Sequence, residues 1–151
     1  MKILVAYNNR SPASEMVLET AKLHAKVFNA SVDVITSADP TKSEKELPHK
    51  EEAERALWDV EESFRKAGLP CRTHFLIRGF APGEDIVRFA TENDIDEIIV
   101  GVEKKSRVGK LLMGSLAQYV ILKAPCPVLA VKSTDTTTDV FLGSTSMHEE
   151  T

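Results

Sequence analysis

The sequence predicts an α/β fold, a single domain in which one parallel, doubly wound sheet of five strands carries helices on both faces. Two observations predict it. Five short segments rich in apolar and β-branched residues alternate strictly with four longer segments of helical periodicity, which is the pattern of successive β-α-β units. With 151 residues, of which 42% are hydrophobic and 28% charged, the chain has the size and composition of one ordinary globular domain.

The first strand and helix occupy the N-terminal part of the chain. Residues 2–7 (KILVAY) form an apolar run that fits a strand buried on both faces, as strands of a parallel sheet are. Ser11 is a suitable N-cap, and Pro12 suits the first helical position, so we expect a helix over residues 12–28. Its apolar side chains recur every three or four positions, and Asn29 ends it.

The second strand and helix are separated by a polar loop. Residues 31–36 (SVDVIT) alternate in polarity and are rich in β-branched side chains, which predicts a second strand. Residues 38–48 are polar and contain two prolines, so we expect an exposed loop there. A long amphipathic helix then runs to Ala67 and ends at Gly68, and residues 71–78 (CRTHFLIR) form a third strand.

The third helix begins at a proline. Pro82 suits a first helical position, and Glu84 and Asp85 follow in the first turn, where the helix dipole favours negative charge. Residues 97–101 (EIIVG) are apolar and β-branched and therefore form a fourth strand.

The last helix and strand complete the alternation. We expect a helix over residues 115–123, whose first residue and Gln118 match a capping box. Residues 127–132 (PVLAVK) form the fifth strand. The remainder is rich in threonine and ends in a polar segment, which predicts a folded domain over residues 1–132 and a flexible tail over residues 133–151.

Charge and composition argue against several classes of function. The chain has 19 Lys and Arg against 23 Asp and Glu, and its net charge of −4 disfavours nucleic acid and anionic membranes as partners. No apolar run approaches the roughly 18 residues that span a bilayer, and no leader pattern precedes the first strand. We therefore expect a cytoplasmic protein in which Cys71 and Cys126, the two cysteines, stay reduced.

One loop is the strongest candidate for a binding site. In a doubly wound sheet, ligands bind outside the carboxyl ends of the strands, where the strand order reverses. Residues 101–115 (GVEKKSRVGKLLMGS) follow the fourth strand and end at the start of a helix. Gly114 allows a ligand to approach the backbone, and the free N–H groups that follow favour an anion. The loop also has a local charge of +3, from Lys104, Lys105, Arg107 and Lys110 against Glu103. These features suit a phosphate site. Glycines before a helix are also common as caps, however, and basic loops are also common on solvated surfaces that bind no ligand.

The spacing of this loop resembles that of a known family. Gly101 is followed by two residues, then Lys104, then nine residues, then the pair Gly114-Ser115, and residues 124–132 read APCPVLAVK. Universal stress proteins carry a glycine, two residues, a second glycine, nine residues and then Gly-Ser or Gly-Thr. The sequence is similar to this family over nearly the whole folded part. The resemblance implies the strand order 3-2-1-4-5 and a site for an adenine nucleotide.

The resemblance assigns a site of ten residues. Ala6 and Ser37 would flank the base, Val100 and Gly101 would line the ribose and phosphate side, and the helix start would hold the phosphates. The full set is Ala6, Asn8, Ser37, Val100, Gly101, Lys104, Gly109, Gly114, Ser115 and Leu116.

Two of these residues depart from the family's pattern. Lys104 stands in place of the second glycine, where its side chain either crowds the phosphate path or pairs with the phosphates. Asn8 stands in place of an aspartate that contacts adenine in nucleotide-binding relatives. It offers both a donor and an acceptor for a base, and it equally suits a turn at the end of a strand.

The function that follows from this resemblance is regulatory. We expect a protein of the stress response that binds ATP or AMP, with or without Mg²⁺, and forms a homodimer through the apolar edge strand from Pro127 to Val131. No general base accompanies Ser115, so we expect no enzyme beyond very slow ATP hydrolysis. The histidines lack ligand spacing, so no metal site is expected. The alternative is a dimeric interaction module of the same family that binds no nucleotide.

Overall fold

Five parallel strands form the central sheet. They are β1 (Lys2–Ala6), β2 (Ser31–Ser37), β3 (Cys71–Leu76), β4 (Glu97–Val102) and β7 (Val128–Lys132). Their order across the sheet is β3-β2-β1-β4-β7, and every neighbouring pair is parallel. Since β7 is the fifth strand of the predicted sheet, this confirms the order 3-2-1-4-5.

Four helices cover both faces of the sheet. They are α1 (Ser14–Phe28), α2 (Ser43–Lys66), α3 (Pro82–Glu92) and α4 (Ser115–Lys123). α1 and α2 pack on one face, where Phe64 is fully buried against Val32 and Val34 of β2. α3 and α4 pack on the other face, where Ile86, Phe89 and Val120 enclose the opposite sides of β1, β2 and β4. The central strands are buried on both sides, as parallel strands require.

The computed structural model describes residues 1–39, 43–102, 105–107 and 110–133. Three predictions concern residues that the structure does not describe. Lys104, Gly109 and the tail after Ser133 lie outside the described residues.

Two helices begin elsewhere than the sequence predicts. α1 begins at Ser14, because residues before it form a turn in which the Ser11 backbone carbonyl accepts the Ser14 N–H at 3.1 Å. The Ser11 hydroxyl also accepts the Ala13 N–H at 3.2 Å, which places Pro12 in this turn instead of in the helix. α2 begins at Ser43, so the predicted loop through Pro48 is wrong over residues 43–48. Glutamate, lysine and leucine surround that proline, and their helix propensity prevails.

A short hairpin, which the sequence did not predict, lies between β4 and α4. Its strands are β5 (Lys105–Arg107) and β6 (Lys110–Leu112), and they pair antiparallel. α4 follows with Gly114 as its N-cap and without a side-chain cap, so the predicted capping box does not form. Ser115 already lies inside the helix, and the Gly114 carbonyl accepts the Gln118 N–H at 3.1 Å.

Candidate functional site

A cleft of about 740 Å³ opens at the carboxyl ends of the strands. Its floor is formed by the ends of β1, β2 and β4, and its walls by the segment before α1, by part of α2 and by the first turn of α4. The sheet order reverses between β1 and β4, so the cleft lies at the switch point where α/β proteins bind ligands. Its volume falls within the range of about 300–1,000 Å³ that is usual for small-molecule sites.

Eight of the ten predicted site residues line this cleft. They come from four separate segments of the chain and are Ala6, Asn8, Ser37, Val100, Gly101, Gly114, Ser115 and Leu116. The other two, Lys104 and Gly109, lie outside the described residues. The prediction that these residues bind a nucleotide remains a prediction at this point.

The two glycines of the cleft have different surroundings. A Cβ atom at Gly101 would lie 3.0 Å from the Cβ of Ala13 and 3.2 Å from Cγ2 of Val17. Glycine at 101 therefore allows the start of α1 to pack closely on β4. A Cβ atom at Gly114 would meet no atom within 4 Å among the residues that the structure describes. Since Gly114 lines the cleft, the space beside it is available to a ligand.

The start of α4 supplies hydrogen-bond donors to the cleft. Its N-cap is a glycine, so no side chain caps the first N–H groups. The first turn of a helix leaves these groups without intrahelical acceptors and carries a partial positive charge. Ser115 and Leu116 of this turn line the cleft, and Ser115 is exposed. The arrangement suits a phosphate or another anion.

Asn8 forms a turn at the end of β1. Its Oδ1 accepts the Arg10 N–H at 3.0 Å, and its backbone carbonyl accepts the Ser11 N–H at 3.0 Å. The turn interpretation of Asn8 is therefore correct. Because Oδ1 is engaged, the amide group Nδ2 is the part of this side chain that remains as a donor in the cleft.

Two consecutive residues at the end of β2 each donate a hydroxyl proton to another part of the protein. Thr36 donates its hydroxyl proton to the backbone carbonyl of Tyr7 at 2.9 Å. Ser37 donates its hydroxyl proton to Oδ2 of Asp85 at 2.8 Å. Thr36, Ser37 and Tyr7 all line the cleft.

An ion pair between a buried aspartate and a half-buried arginine, which sequence reasoning missed, lies behind Ser37. Asp85 is 0% exposed, and its Oδ1 accepts Nε of Arg78 at 2.6 Å. Arg78 also donates to Oε1 of Glu92 at 2.8 Å, and its hydrogen bonds to Glu92 and Asp85 raise its pKa. The sequence predicted only that the negative charge of Asp85 would be stabilised by the helix dipole. In the structure it joins α3 to the segment after β3 and holds Ser37 in place.

The rim of the cleft on the α2 side is charged. Glu52 accepts Nδ2 of Asn9 at 3.2 Å and lies 3.9 Å from Arg10 and 3.8 Å from His49. Asn9, Arg10 and His49 line the cleft. These pairs are solvent-exposed, so each contributes little to stability, but together they join the turn after β1 to α2.

Other chemistries find little support within the described residues. No three His, Cys, Asp or Glu side chains come together there as a metal site requires, and none of the described helices is long and apolar enough to cross a membrane. Both cysteines are free thiols. Burial, together with the charges of Glu61 and Asp33, raises the pKa of Cys71 to about 12, so this thiol is a poor nucleophile at neutral pH.

The sheet, its covering helices and the cleft at the strand-order reversal define a doubly wound α/β protein with a cleft where proteins of this fold class bind ligands. More particularly, the chain belongs to the universal stress protein family, whose model matches residues 1–132. A universal stress protein of Thermus aquaticus is 33% identical over 135 residues, which cover 86% of this chain and 97% of that protein.

Solved structures of the family agree with the fold. A universal stress protein from Archaeoglobus fulgidus is 36% identical and superposes with a TM-score of 0.76, covering 87% of this chain and 98% of that one. A universal stress protein from the same organism in complex with dAMP is 34% identical, with a TM-score of 0.70 and the same two coverages.

Proposed function

We propose that this chain is a regulatory protein that binds an adenine nucleotide, AMP or ATP with or without Mg²⁺, in the cleft at the carboxyl edge of the sheet. The observation that carries the proposal is the convergence of eight predicted residues from four chain segments on one cleft, with open space at Gly114. The Archaeoglobus fulgidus protein in complex with dAMP, at 34% identity, supports the same ligand class.

The chemistry of the cleft fits the two ends of such a ligand. Apolar side chains such as Val17, Ile35 and Ile86 line its interior and suit a base, while the first turn of α4 suits phosphate. Among the described lining residues, His49 is the one histidine, and it lies beside Glu52 at the rim. Because this histidine pairs with a carboxylate and not with a hydroxyl or thiol nucleophile, we propose a role in regulation of the stress response instead of catalysis.

Thermal unfolding with and without nucleotide tests this proposal. A ligand that binds only the folded state at 100 times its Kd stabilises a protein by about 2.7 kcal/mol, which raises the Tm of a chain of this size by about 5–10 °C. We expect such a rise with AMP or ATP. Gly114→Val should fold, because a Cβ atom at this position meets no atom of the described residues within 4 Å, and should lose the rise in Tm by filling the ligand's space.

The control for that experiment is Ala67→Val, which introduces the same side chain at an exposed position just after α2. It should keep the full rise in Tm. A wild-type Tm that does not respond to millimolar nucleotide would contradict binding and favour the interaction module without nucleotide. Equal responses of wild type and Gly114→Val would show that the site is elsewhere.

We also propose that the protein acts as a homodimer through β7. This strand is at one edge of the sheet, and α4, which packs beside it, exposes Ile121 and Leu122, the latter at 76%. The opposite edge strand, β3, carries Arg72 and His74, which pair with the buried Asp33. Charges directed inward at an edge disfavour pairing with another chain, so β7 is the edge suited to a second copy.

A further inference from the structure

We infer that the outward face of α2 is a further interaction surface, on which a second copy of this chain docks in antiparallel orientation about Trp58. The surface is separate from β7, and the inference depends neither on nucleotide binding nor on the dimer through β7. Three observations on α2 and β3 support it: an exposed tryptophan, a groove beside it, and helix charges that change sign on either side of it.

Trp58 is the single tryptophan of the chain and is 62% exposed on α2. It takes no part in the packing of α2 on the sheet, because Leu57, Val60 and Phe64 form the buried face of this helix. Tryptophan is among the residues that contribute most to binding at protein interfaces. An exposed indole on a helix that other side chains already anchor is therefore a candidate contact residue.

A groove of about 540 Å³ lies beside Trp58, between α2 and the edge strand β3. Its apolar lining includes Leu57, Phe75 and Ile77, of which Ile77 is 44% exposed. In a two-fold arrangement each copy places its tryptophan in the groove of the other, which removes both indoles from water. This contact uses side chains and needs no backbone pairing at β3, which the inward charges of that strand disfavour.

The charges on this face of α2 change sign about Trp58. Residues three and seven positions away lie on the same face of a helix as the tryptophan. Before Trp58 they are Arg55 and Glu51, and after it they are Glu61 and Arg65. A two-fold axis at Trp58 brings each position before the tryptophan opposite the equivalent position after it in the second copy. Arg55 then faces Glu61, and Glu51 faces Arg65, on both sides of the axis.

These cross-chain pairs use charges that are available in a single copy. Glu51 and Arg55 are exposed, and neither forms an ion pair with any other described residue. Glu61 accepts the hydroxyl of Thr73 on Oε2 at 3.4 Å, so its Oε1 is available to a guanidinium group. A second copy therefore supplies partners that the described part of the chain lacks.

The same axis also brings two like charges together, those of Glu54 and Glu62. Each already has a cation in its own chain. Nζ of Lys50 lies 3.7 Å from Oε1 of Glu54, and Nε of Arg65 donates to Oε1 of Glu62 at 3.1 Å. The repulsion between these two carboxylates is therefore reduced, and the attractive pairs prevail.

The expected association is weak, because the surface is one helix face and exposed ion pairs contribute little. We expect a Kd on the order of 0.2 mM, as suits a small transient interface, so the contact is largely dissociated at micromolar concentration.

Sedimentation equilibrium of the wild-type protein tests the inference. The measurements use protein without nucleotide, because three residues that line the groove also line the cleft. Between about 10 µM and about 1 mM the weight-average mass should rise at least about 1.5-fold. The emission of Trp58 should shift to shorter wavelength over the same range, because association removes the indole from water. The rise in mass should become smaller in 0.5 M NaCl, which screens the ion pairs.

Two charge reversals assign the association to this register. Arg55→Glu places two glutamates opposite each other and should remove the rise in mass. Glu61→Arg places two arginines opposite each other and should do the same. An equal mixture of the two variants should restore the rise, because every cross-chain pair at these positions is then a glutamate with an arginine. Mixing two misfolded proteins cannot produce this result, so restoration identifies a direct contact.

The matched control is Lys26→Glu, which changes the net charge as Arg55→Glu does but at an exposed position on α1. It should keep the wild-type rise in mass. A wild-type mass and Trp58 emission that stay constant up to about 1 mM would overturn the inference and leave the groove to a different occupant, and this result needs no variant to fold. Wild-type association of the two separate reversals, or a mixture that behaves like them when they do not associate, would also overturn it.

Discussion

At the scale of single residues, the two glycines of the family motif that the structure describes have separate physical roles. Gly114 borders open space in the cleft, which fits the predicted approach of a ligand. Gly101 is packed against Ala13 and Val17 at the start of α1, so the protein itself leaves no room for a side chain at this position. The motif spacing predicts both positions, but it cannot separate the two reasons, because both require the absence of a Cβ atom.

Gly101→Ala should therefore destabilise the fold. The added methyl group would lie 3.0 Å from the Cβ of Ala13, so α1 must shift from β4, and such overpacking costs about 1–3 kcal/mol. Urea unfolding should show this loss in the absence of any ligand. Gly114→Ser is the matched control, because it adds a side chain to open space and supplies a good N-cap, and its stability should stay within about 0.5 kcal/mol of wild type. Equal stability of Gly101→Ala and wild type would rule out the close packing of α1 on β4.

Asp85 shows where sequence reasoning at this scale stops. An acidic residue in the first turn of a helix is explained well enough by the helix dipole, and that explanation requires no partner. The burial of Asp85 and its ion pair with Arg78 depend on how α3 lies on the sheet, and the sequence of the segment does not contain that information. The polarity of Ser37 depends in turn on Asp85. Eight residues that line the cleft were thus predictable, while the hydrogen-bond directions there were not.

At the scale of elements, the long periodic segments were predicted well and their starts less well. Pro12 was expected inside α1, but the turn closed by Ser11 delays the helix to Ser14. The reverse error occurs at α2, where the helix formers around Pro48 extend the helix back to Ser43. Helix starts are decided by a few competing hydrogen bonds, whereas the periodic apolar face is decided by the whole core.

The hairpin of β5 and β6 could not be predicted from the sequence of its two strands. Each strand has three residues, KSR and KLL, which is too short for an alternating pattern to appear. Its presence between β4 and α4 leaves the position of Gly114 at the start of α4 unchanged. The start of α4 was therefore predicted in the right place, although the internal structure of the loop before it was not.

At the scale of the whole molecule, the strand order decides which two strands are at the edges of the sheet. The alternation of strands and helices predicts a parallel sheet, but the order 3-2-1-4-5 came from the resemblance to the family. With that order β3 and β7 are the edges. The charged pairs of β3 and the exposed apolar residues of α4 beside β7 make the two edges chemically different, and this difference is the basis for the proposed dimer.

Sedimentation of wild type and two variants tests the dimer. We expect a dimer at micromolar concentration, because pairing covers the backbone edge of β7 and the apolar side chains beside it. Ala130→Glu combined with Leu122→Glu places charges on that surface, where both residues are exposed, and should give a monomer. Trp58→Glu removes an apolar residue that is 62% exposed on α2 and should leave the dimer intact. A monomeric wild type would contradict the proposal.

The central claim, that the cleft binds an adenine nucleotide, is tested most directly by following the amide signals of the labelled protein in an NMR titration with AMP. The account predicts saturable shifts with one Kd for Ala6, Ser37, Gly101 and Leu116, which belong to four chain segments and line the cleft. The indole N–H of Trp58, the single tryptophan, is outside the cleft lining and should not move. Absence of shifts at millimolar AMP, or shifts confined to residues away from the cleft, would contradict the account.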